Sequence, residues 1–306
     1  MFIRVLGSAA GGGFPQWNCG CPNCVGVRRG TLRAVARTQE SVAVSADGDS
    51  WFLLNASPEI RQQIESFDKL HPRTQRDTPI QGIVLTNGDL DHCLGLLSLR
   101  ESQPLALYST ERILRGFSEG NVLYRTLQRF DGQARWHTLQ LDAAEQPLRL
   151  LNGADSGLSM RAFDAPGKPA LHLDQANAGA GDNIGVVIHD LKSGKSMAYI
   201  AAVGASSSAV VAAATAADLV FFDGTFWSSD ELIALGASTR RAEDMAHWPI
   251  NGAGGSLRFL AELTHARRVY IHINNTNPIL REDSAERAAV HAAGVEVAHD
   301  GMELEL

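Results

Sequence analysis

The sequence predicts an α/β fold, an α+β layered arrangement with mixed sheets, on three observations. Short apolar runs recur along the chain. Helix patterns with readable starts and stops lie between several of them. The order is strand-rich first, then βα alternation, then a second βα set near the end.

Taken in order, Phe2–Leu6, Ser41–Ser45, Trp51–Leu54, Gly82–Leu85 and Leu105–Tyr108 read as strands of the first half. Gly185–Ile188, Met197–Ile200, Leu219–Phe222, Val269–Ile273 and Val295–Ala298 read as strands of the second. Ser57-Pro58-Glu59 reads as a helix start, with Ser57 at the N-cap and Pro58 at the first helical position. Cys93–Arg100, Ser206–Ala217, Ser256–Leu263 and Ser284–Ala293 read as helices, the last closed by Gly294. The stretch Ala165–Asn183, rich in Gly, Pro and Ala, is expected to be the one long loop, an active-site flap or a surface excursion.

At 306 residues the chain can bury a substantial core, as one large domain or two small ones. Hydrophobic residues make up 44% and charged residues 20%, a balance ordinary for a soluble globular protein. A net charge of −7 and the absence of any basic run argue against nucleic acid as a partner. The start MFIRVLGSAAGGG lacks the basic head and long apolar stretch of a secretory signal. Apolar windows such as Ala209–Ala217 fall short of the roughly 18 to 20 residues a membrane span needs. The expectation is a soluble, cytoplasmic protein with no membrane partner.

Three of the four cysteines, Cys19, Cys21 and Cys24, fall in CGCPNC. Cysteines this close do not readily form unstrained disulfides, and a C-x-C-x-x-C loop bends three thiolates toward one point, as tetrahedral zinc requires. The alternative is a set of free or redox-active thiols. A fourth zinc ligand must come from elsewhere, with Cys93 or a histidine of the C-terminal third as candidates. The glycine cluster GSAAGGGFP lacks the Lys-Ser/Thr of a P-loop and the spacing of a dinucleotide fingerprint. It reads as backbone that must pass close to a site.

The stretch TNGDLDH, Thr86 to His92, follows the apolar run Ile83-Val84-Leu85. Adjacent Asp91 and His92 in a tight turn can face one metal, or can merely form a salt-bridged turn. His247, in AHWPI, and His272, in VYIHINNTNP, are each as readily structural as ligands when taken alone. Asp223, in LVFFDGTFW, sits where a strand emerges. All of them fall at carboxyl ends of strands, where loops gather into a site.

Together these residues resemble the metallo-β-lactamase-like superfamily, whose loop reads T-H-x-H-x-D-H after a strand. The segments VLGSAAGGGFPQWNCGCPNC, LLNASPEIR, VFFDGTFW, HINNTNPIL and GVEVAHDGMELEL further resemble the pyrroloquinoline quinone biosynthesis protein B family over essentially the whole chain. The resemblance implies a single domain over residues 1–306 with an αββα sandwich of two mixed sheets. It also implies that Asn87 and Asp89 replace the histidines of the first metal site, and that Ala201-Ala202-Val203 stands where a bridging aspartate would be. The second site survives as Asp91, His92 and His272. Two histidines and one carboxylate suit non-haem Fe(II) with O2 better than two-metal hydrolysis.

The implied chemistry is hydroxylation of the tyrosine-derived ring of a cross-linked Glu-Tyr precursor, with Fe(II) at the active site and Zn(II) on the cysteines. Two rival readings are a soluble carrier of the cofactor or its precursor toward the periplasm, and a single-metal hydrolase. Asp223 and His247 are expected to bind metal, orient a ligand or move protons. Asn274, Asn275 and Asp89 are candidates for substrate contact, with Thr276 beside them. Arg61 and Arg240-Arg241 are candidates for holding a di- or tri-acid, or else plain solvated charges. The expected partners are the dipeptide-derived quinone precursor and O2, with a homodimer left open.

Overall fold

The computed structural model describes residues 1–173 and 175–306. Two seven-stranded mixed sheets face each other. The strands are β1 (Phe2–Gly7), β2 (Ser41–Ser45), β3 (Trp51–Leu54), β4 (Ile80–Val84), β5 (Leu105–Ser109), β6 (Ala134–Thr138) and β7 (Gln146–Arg149). They continue with β8 (Asp155–Asp164), β9 (Ile184–Asp190), β10 (Ser196–Ile200), β11 (Leu219–Asp223), β12 (Arg267–Ile271), β13 (Glu296–Val297) and β14 (Glu303–Glu305). The first sheet runs β14-β1-β2-β3-β4-β5-β6 and the second β13-β12-β11-β10-β9-β8-β7. Strands β3 to β6 are parallel to one another, as are β10 to β13. This is the αββα sandwich expected from the resemblance.

The periodicity of the central strands shows why they are buried on both faces. Along β11, Leu219 and Phe221 join the core between the sheets. Val220 and Phe222 join the layer under the helices. A strand covered on both sides reads as an unbroken apolar run rather than an alternation. That run carries straight into Asp223, and the same logic delivers Ile271 into His272 on β12 and Val84 into the Thr86 loop on β4. Parallel strands of both sheets thus end at one edge of the sandwich, and the polar residues that follow them meet there.

The helices are α1 (Pro22–Arg29), α2 (Ile60–Glu65), α3 (Leu90–Cys93), α4 (Glu111–Ser118), α5 (Ser208–Ala216), α6 (Glu231–Ala234), α7 (Ser256–Glu262) and α8 (Ala285–Ala292). Ser284 caps α8 by accepting from Arg287 N, and Gly294 closes the following turn in the left-handed region. Two readings are corrected. Ser57 does not cap α2: Glu59 holds that position, while Ser57 Oγ is buried without a hydrogen bond among the described residues. Cys93–Arg100 is not an α-helix, because α3 ends at Cys93 and Leu94–Leu99 tightens into a 3-10 turn.

The sequence missed β6, β7, β8 and β14, and also α1, α4 and α6. β6 and β7 lie at sheet edges and are half exposed. In β8, Asp155, Ser156, Ser159 and Arg161 interrupt the apolar pattern. The segment 165–183 packs back onto the Asp-His loop, where Asn87 pairs with Asn183 and a Cβ on Gly88 would touch Ala170 at 3.5 Å. Residue 174 of that segment lies outside the described residues. Among the described residues no helix is long and apolar enough to cross a membrane.

Candidate metal centre

Asp91 and His92 lie in α3 just past β4, and His272 follows β12 directly. His272 Nε2 is 3.2 Å and His92 Nε2 3.6 Å from Asp91 Oδ2. The donor atoms of the three all fall within 4.8 Å of one another. Gly11 lies against this carboxylate, where an added Cβ would sit 3.2 Å from Oδ2, so the glycine cluster gives the close backbone approach read from sequence.

The remaining ring nitrogens decide whether this set fits a metal. Thr225 Oγ1 is 2.6 Å from Asp223 Oδ1, to which it donates, and 2.8 Å from His272 Nδ1. A hydroxyl has one proton, so Nδ1–H of His272 donates to Thr225 and Nε2 is the nitrogen left to bind metal. His92 Nδ1 lies 3.0 Å from Asn55 Nδ2 and 3.2 Å from Thr86 Oγ1, so Asn55 and Thr86 together fix the orientation of that ring. The Nε2 atoms of both histidines thus face one carboxylate and are the nitrogens placed to bind a metal once the proton between His272 and Asp91 is lost.

Asp223 is fully buried, and both its oxygens are taken. Oδ1 accepts from Thr225 N and Oγ1; Oδ2 accepts from Val203 N and from His247 Nδ1 at 2.8 Å. It orients the two histidines, and its ligand atom lies within 4.8 Å of theirs, so Asp223, His247 and His272 form a second set that could hold an ion. His247 stacks on His272 with ring centroids 5.5 Å apart and lines a cleft with Asn87, Asp89 and Asn183.

Electrostatics agree with a cation site. Burial pushes His92 down to about 4, so it stays neutral and available as a ligand. Burial also works against a charged His272, but the hydrogen bond and charge of Asp91 push it up to about 9. A metal must displace that proton, as ligand binding generally does. Burial opposes ionisation of Asp91 too, yet His92 and His272 hold it well below the usual carboxylate range. Beneath the site Glu40, pushed up to about 8 by burial, accepts from Asn55 Nδ2 at 2.9 Å.

Backbone strain gathers at the same place. Asn55, Ala246 and His272 all have positive φ, near 60°. Such residues persist only where the surroundings enforce them.

The cysteine loop forms a second cluster. Cys21 is the N-cap of α1, and Cys24, three residues on, donates its N–H to Cys21 Sγ at 3.5 Å. Cys19 swings back over this turn, so the three sulfurs lie within 4.8 Å of one another. Cys93 is not among them; it is buried in α3 with its thiol on Gly88 O. No histidine joins the cluster among the described residues. The place of a fourth ligand is taken by Asn275, whose Nδ2 is 3.1, 3.6 and 3.4 Å from the sulfurs of Cys19, Cys21 and Cys24.

The contacts of Asn274 and Asn275 differ from the substrate contacts read from sequence. Asn275 faces the cysteines, and Asn274 Nδ2 donates to Thr276 Oγ1. Thr276 in turn donates to Glu231, which burial pushes up to about 7. Arg61, Arg240 and Arg241 are exposed, and Arg240 and Arg241 bond to Asp244. Sequence reasoning passed over Thr225, Thr86, Asn55 and Glu40. The first three stand inside FFDGTFW, TNGDLDH and LLNASPEIR, and their signal was a polar residue immediately after an apolar strand.

One consequence tests the relay. Thr225→Val is expected to weaken metal binding at Asp91, His92 and His272 by about 10- to 100-fold, because His272 loses the acceptor that fixes its tautomer. Competition with a chelator of known affinity measures it; an unchanged dissociation constant would show that Thr225 does not orient the ring.

A family model described as a β-lactamase superfamily domain matches residues 50–273. Coenzyme PQQ synthesis protein B of Pseudomonas protegens is 44% identical over 307 residues, covering 100% of both chains. The protein of that name from Azoarcus sp. is 47% identical over 319 residues, again covering 100% of both. Among solved structures, zinc-bound PqqB from Methylobacterium extorquens superposes with a TM-score of 0.91 at 43% identity, covering 100% of both chains. A diphosphatase of the PhnP family, at 20% identity and a TM-score of 0.67 over 100% of this chain and 97% of its own, shares the fold alone.

Proposed function

Because the chain belongs to the coenzyme PQQ synthesis protein B family and has the metallo-β-lactamase fold, we propose that it is a non-haem iron hydroxylase acting on the tyrosine-derived ring of a cross-linked Glu-Tyr precursor in PQQ assembly. The observation that carries the reading is the fate of the two metal positions in one loop. Asp91 and His92 meet His272 with their donor atoms converged. Asn87 Nδ2 instead donates to Asn183 Oδ1 at 3.2 Å, and Asn183 Nδ2 to Ala202 O at 2.8 Å. A hydrolase that activates water between two ions needs both positions and a bridge. Here the first position is built from amides and a carbonyl, which bond one another.

Bound Fe(II) would supply the redox chemistry by which O2 hydroxylates an aromatic ring. One oxygen atom enters the ring and the other leaves as water, with two electrons from an external reductant. The chain's own groups do the rest. Asp91, His92 and His272 would hold the ion, Thr225 orients the His272 ring, Thr86 and Asn55 orient the His92 ring, and Asp223 fixes His247. With Nδ1 on Asp223, His247 has Nε2 free to accept the proton of a ring hydroxyl. Cys19, Cys21 and Cys24 would hold a structural zinc, with the Asn275 amide beside them. One domain over residues 1–306 in the cytoplasm accommodates all of this.

The test is anaerobic reconstitution with Fe(II), followed by addition of O2, a reductant and a tyrosine-derived substrate. Oxygen uptake with a ring-hydroxylated product is expected, and zinc-loaded protein should give neither. Metal titration should saturate near one ion beyond the cysteine zinc. Zinc should displace Fe(II), since nitrogen and oxygen ligands bind it more tightly. Hydrolysis of an ester or phosphodiester, or two tightly bound ions at the active centre, would overturn the reading. Tight PQQ binding without turnover would favour a carrier.

A further inference from the structure

We propose that Lys168 determines substrate specificity, its ammonium pairing with a carboxylate of the substrate in the cleft beside the metal triad. The proposal rests on the hydroxylase reading and names the acid-recognising residue of that same site.

Lys168 sits in the segment that folds over the Asp-His loop, and it lines the cleft together with Asn87, Asp89, Asn183, Ala202 and His247. The first four of these are the residues at and around the lost first metal position. Lys168 is half-buried, yet it makes no ion pair or hydrogen bond among the described residues. An ammonium partly withdrawn from water with nothing bonded to it is costly unless something pairs with it. Asp89, in the same lining, is close enough to attract it but forms no direct ion pair, and the charge of Arg240 repels it.

In the same lining His247 stacks on His272. The cleft itself measures only about 20 Å³, so the ring of a bound ligand would lie outside it, with only an acid group reaching in to Lys168. That matches a ring bearing amino-acid carboxylates, such as a cross-linked Glu-Tyr unit. The separation of charge recognition from the metal explains why a position that lost its metal keeps a positive charge: the lysine supplies fixed charge for an anion without a second ion.

The experiment uses the full chain loaded with zinc, which is redox-inert, and two probes: PQQ, which carries carboxylates, and uncharged catechol. Lys168→Met is expected to raise the PQQ dissociation constant about 10- to 100-fold and to change that of catechol by less than about twofold. Lys168→Arg should restore most of the PQQ affinity, with metal content and melting temperature unchanged in both variants. PQQ affinity of the unmodified protein should fall with added salt, and that dependence should weaken in Lys168→Met. Equal loss for both probes would mean that Lys168 shapes the cleft without reading charge, and no loss would mean that it faces away from the ligand; either overturns the proposal. Lysine-dependent PQQ binding without oxygen uptake would retain the subsite and sink the hydroxylase. Hydroxylation insensitive to Lys168→Met would do the reverse.

Discussion

In His272→Ala, iron binding at the active centre and hydroxylation of the substrate ring are expected to fall by about a thousandfold or more. Removing one ligand of three takes away several kcal/mol of metal interaction, and each 1.36 kcal/mol is about tenfold. The loss goes beyond one nitrogen. His272 is also the group that pairs Asp91 at 3.2 Å and stacks on His247, so both neighbours lose their register. The fold should survive, because Thr225 keeps its bond to Asp223 and the core strands on either side are untouched. Iron stoichiometry, oxygen uptake and product should be measured together with zinc on the cysteines, which should not change. Product formation at the unmodified rate would mean that the ligand histidine is misassigned, with His247 next in line.

Cys21→Ser is expected to lose the cysteine zinc and to lower the melting temperature by roughly 6 to 12 °C, corresponding to a loss of about 3 kcal/mol or more. Cys21 has two tasks under this proposal: a ligand to the zinc, and the N-cap that accepts from Cys24 N. A serine hydroxyl can keep the cap, so the loss measures the metal rather than the helix. The same loop carries Asn23, whose Nδ2 donates to the carbonyls of Asn275 and Asn277, and Asn275 stands three residues beyond His272. Releasing the zinc should therefore also loosen the strand end that presents His272, seen as a smaller drop in iron affinity. Normal zinc content with a normal melting temperature would show that the cysteines are not a structural site.

The sandwich was legible in the sequence where strands are central. LVFFD and RVYI carry apolar residues on both faces because each is covered on both sides, and no other arrangement tolerates that pattern outside a buried strand or helix. Edge strands such as β6 and β7 were illegible, since half-exposed positions accept any residue that does not break the ladder. Helices with a serine cap and a glycine stop were placed to within a residue or two. The Cys93 helix failed because a 3-10 turn and an α-helix share much the same local composition over six residues.

For the site, the sequence by itself determined which residue types emerge at the strand ends: Asp91 and His92, Asp223, His272 and the three cysteines of CGCPNC. It also determined what is missing, since Asn87 and Asp89 have none of the basicity or geometry of histidine. Only the tertiary structure decided which of these meet. The direction of a side chain past a strand end depends on backbone torsions such as the positive φ of His272, and on partners far away in the chain. Thr225 sits 47 residues from His272 and sets its tautomer; Asn275 is 256 residues from Cys19 and closes its cluster. A hydrogen bond between such residues leaves no periodic trace in sequence, because it constrains a distance in space and not a spacing along the chain.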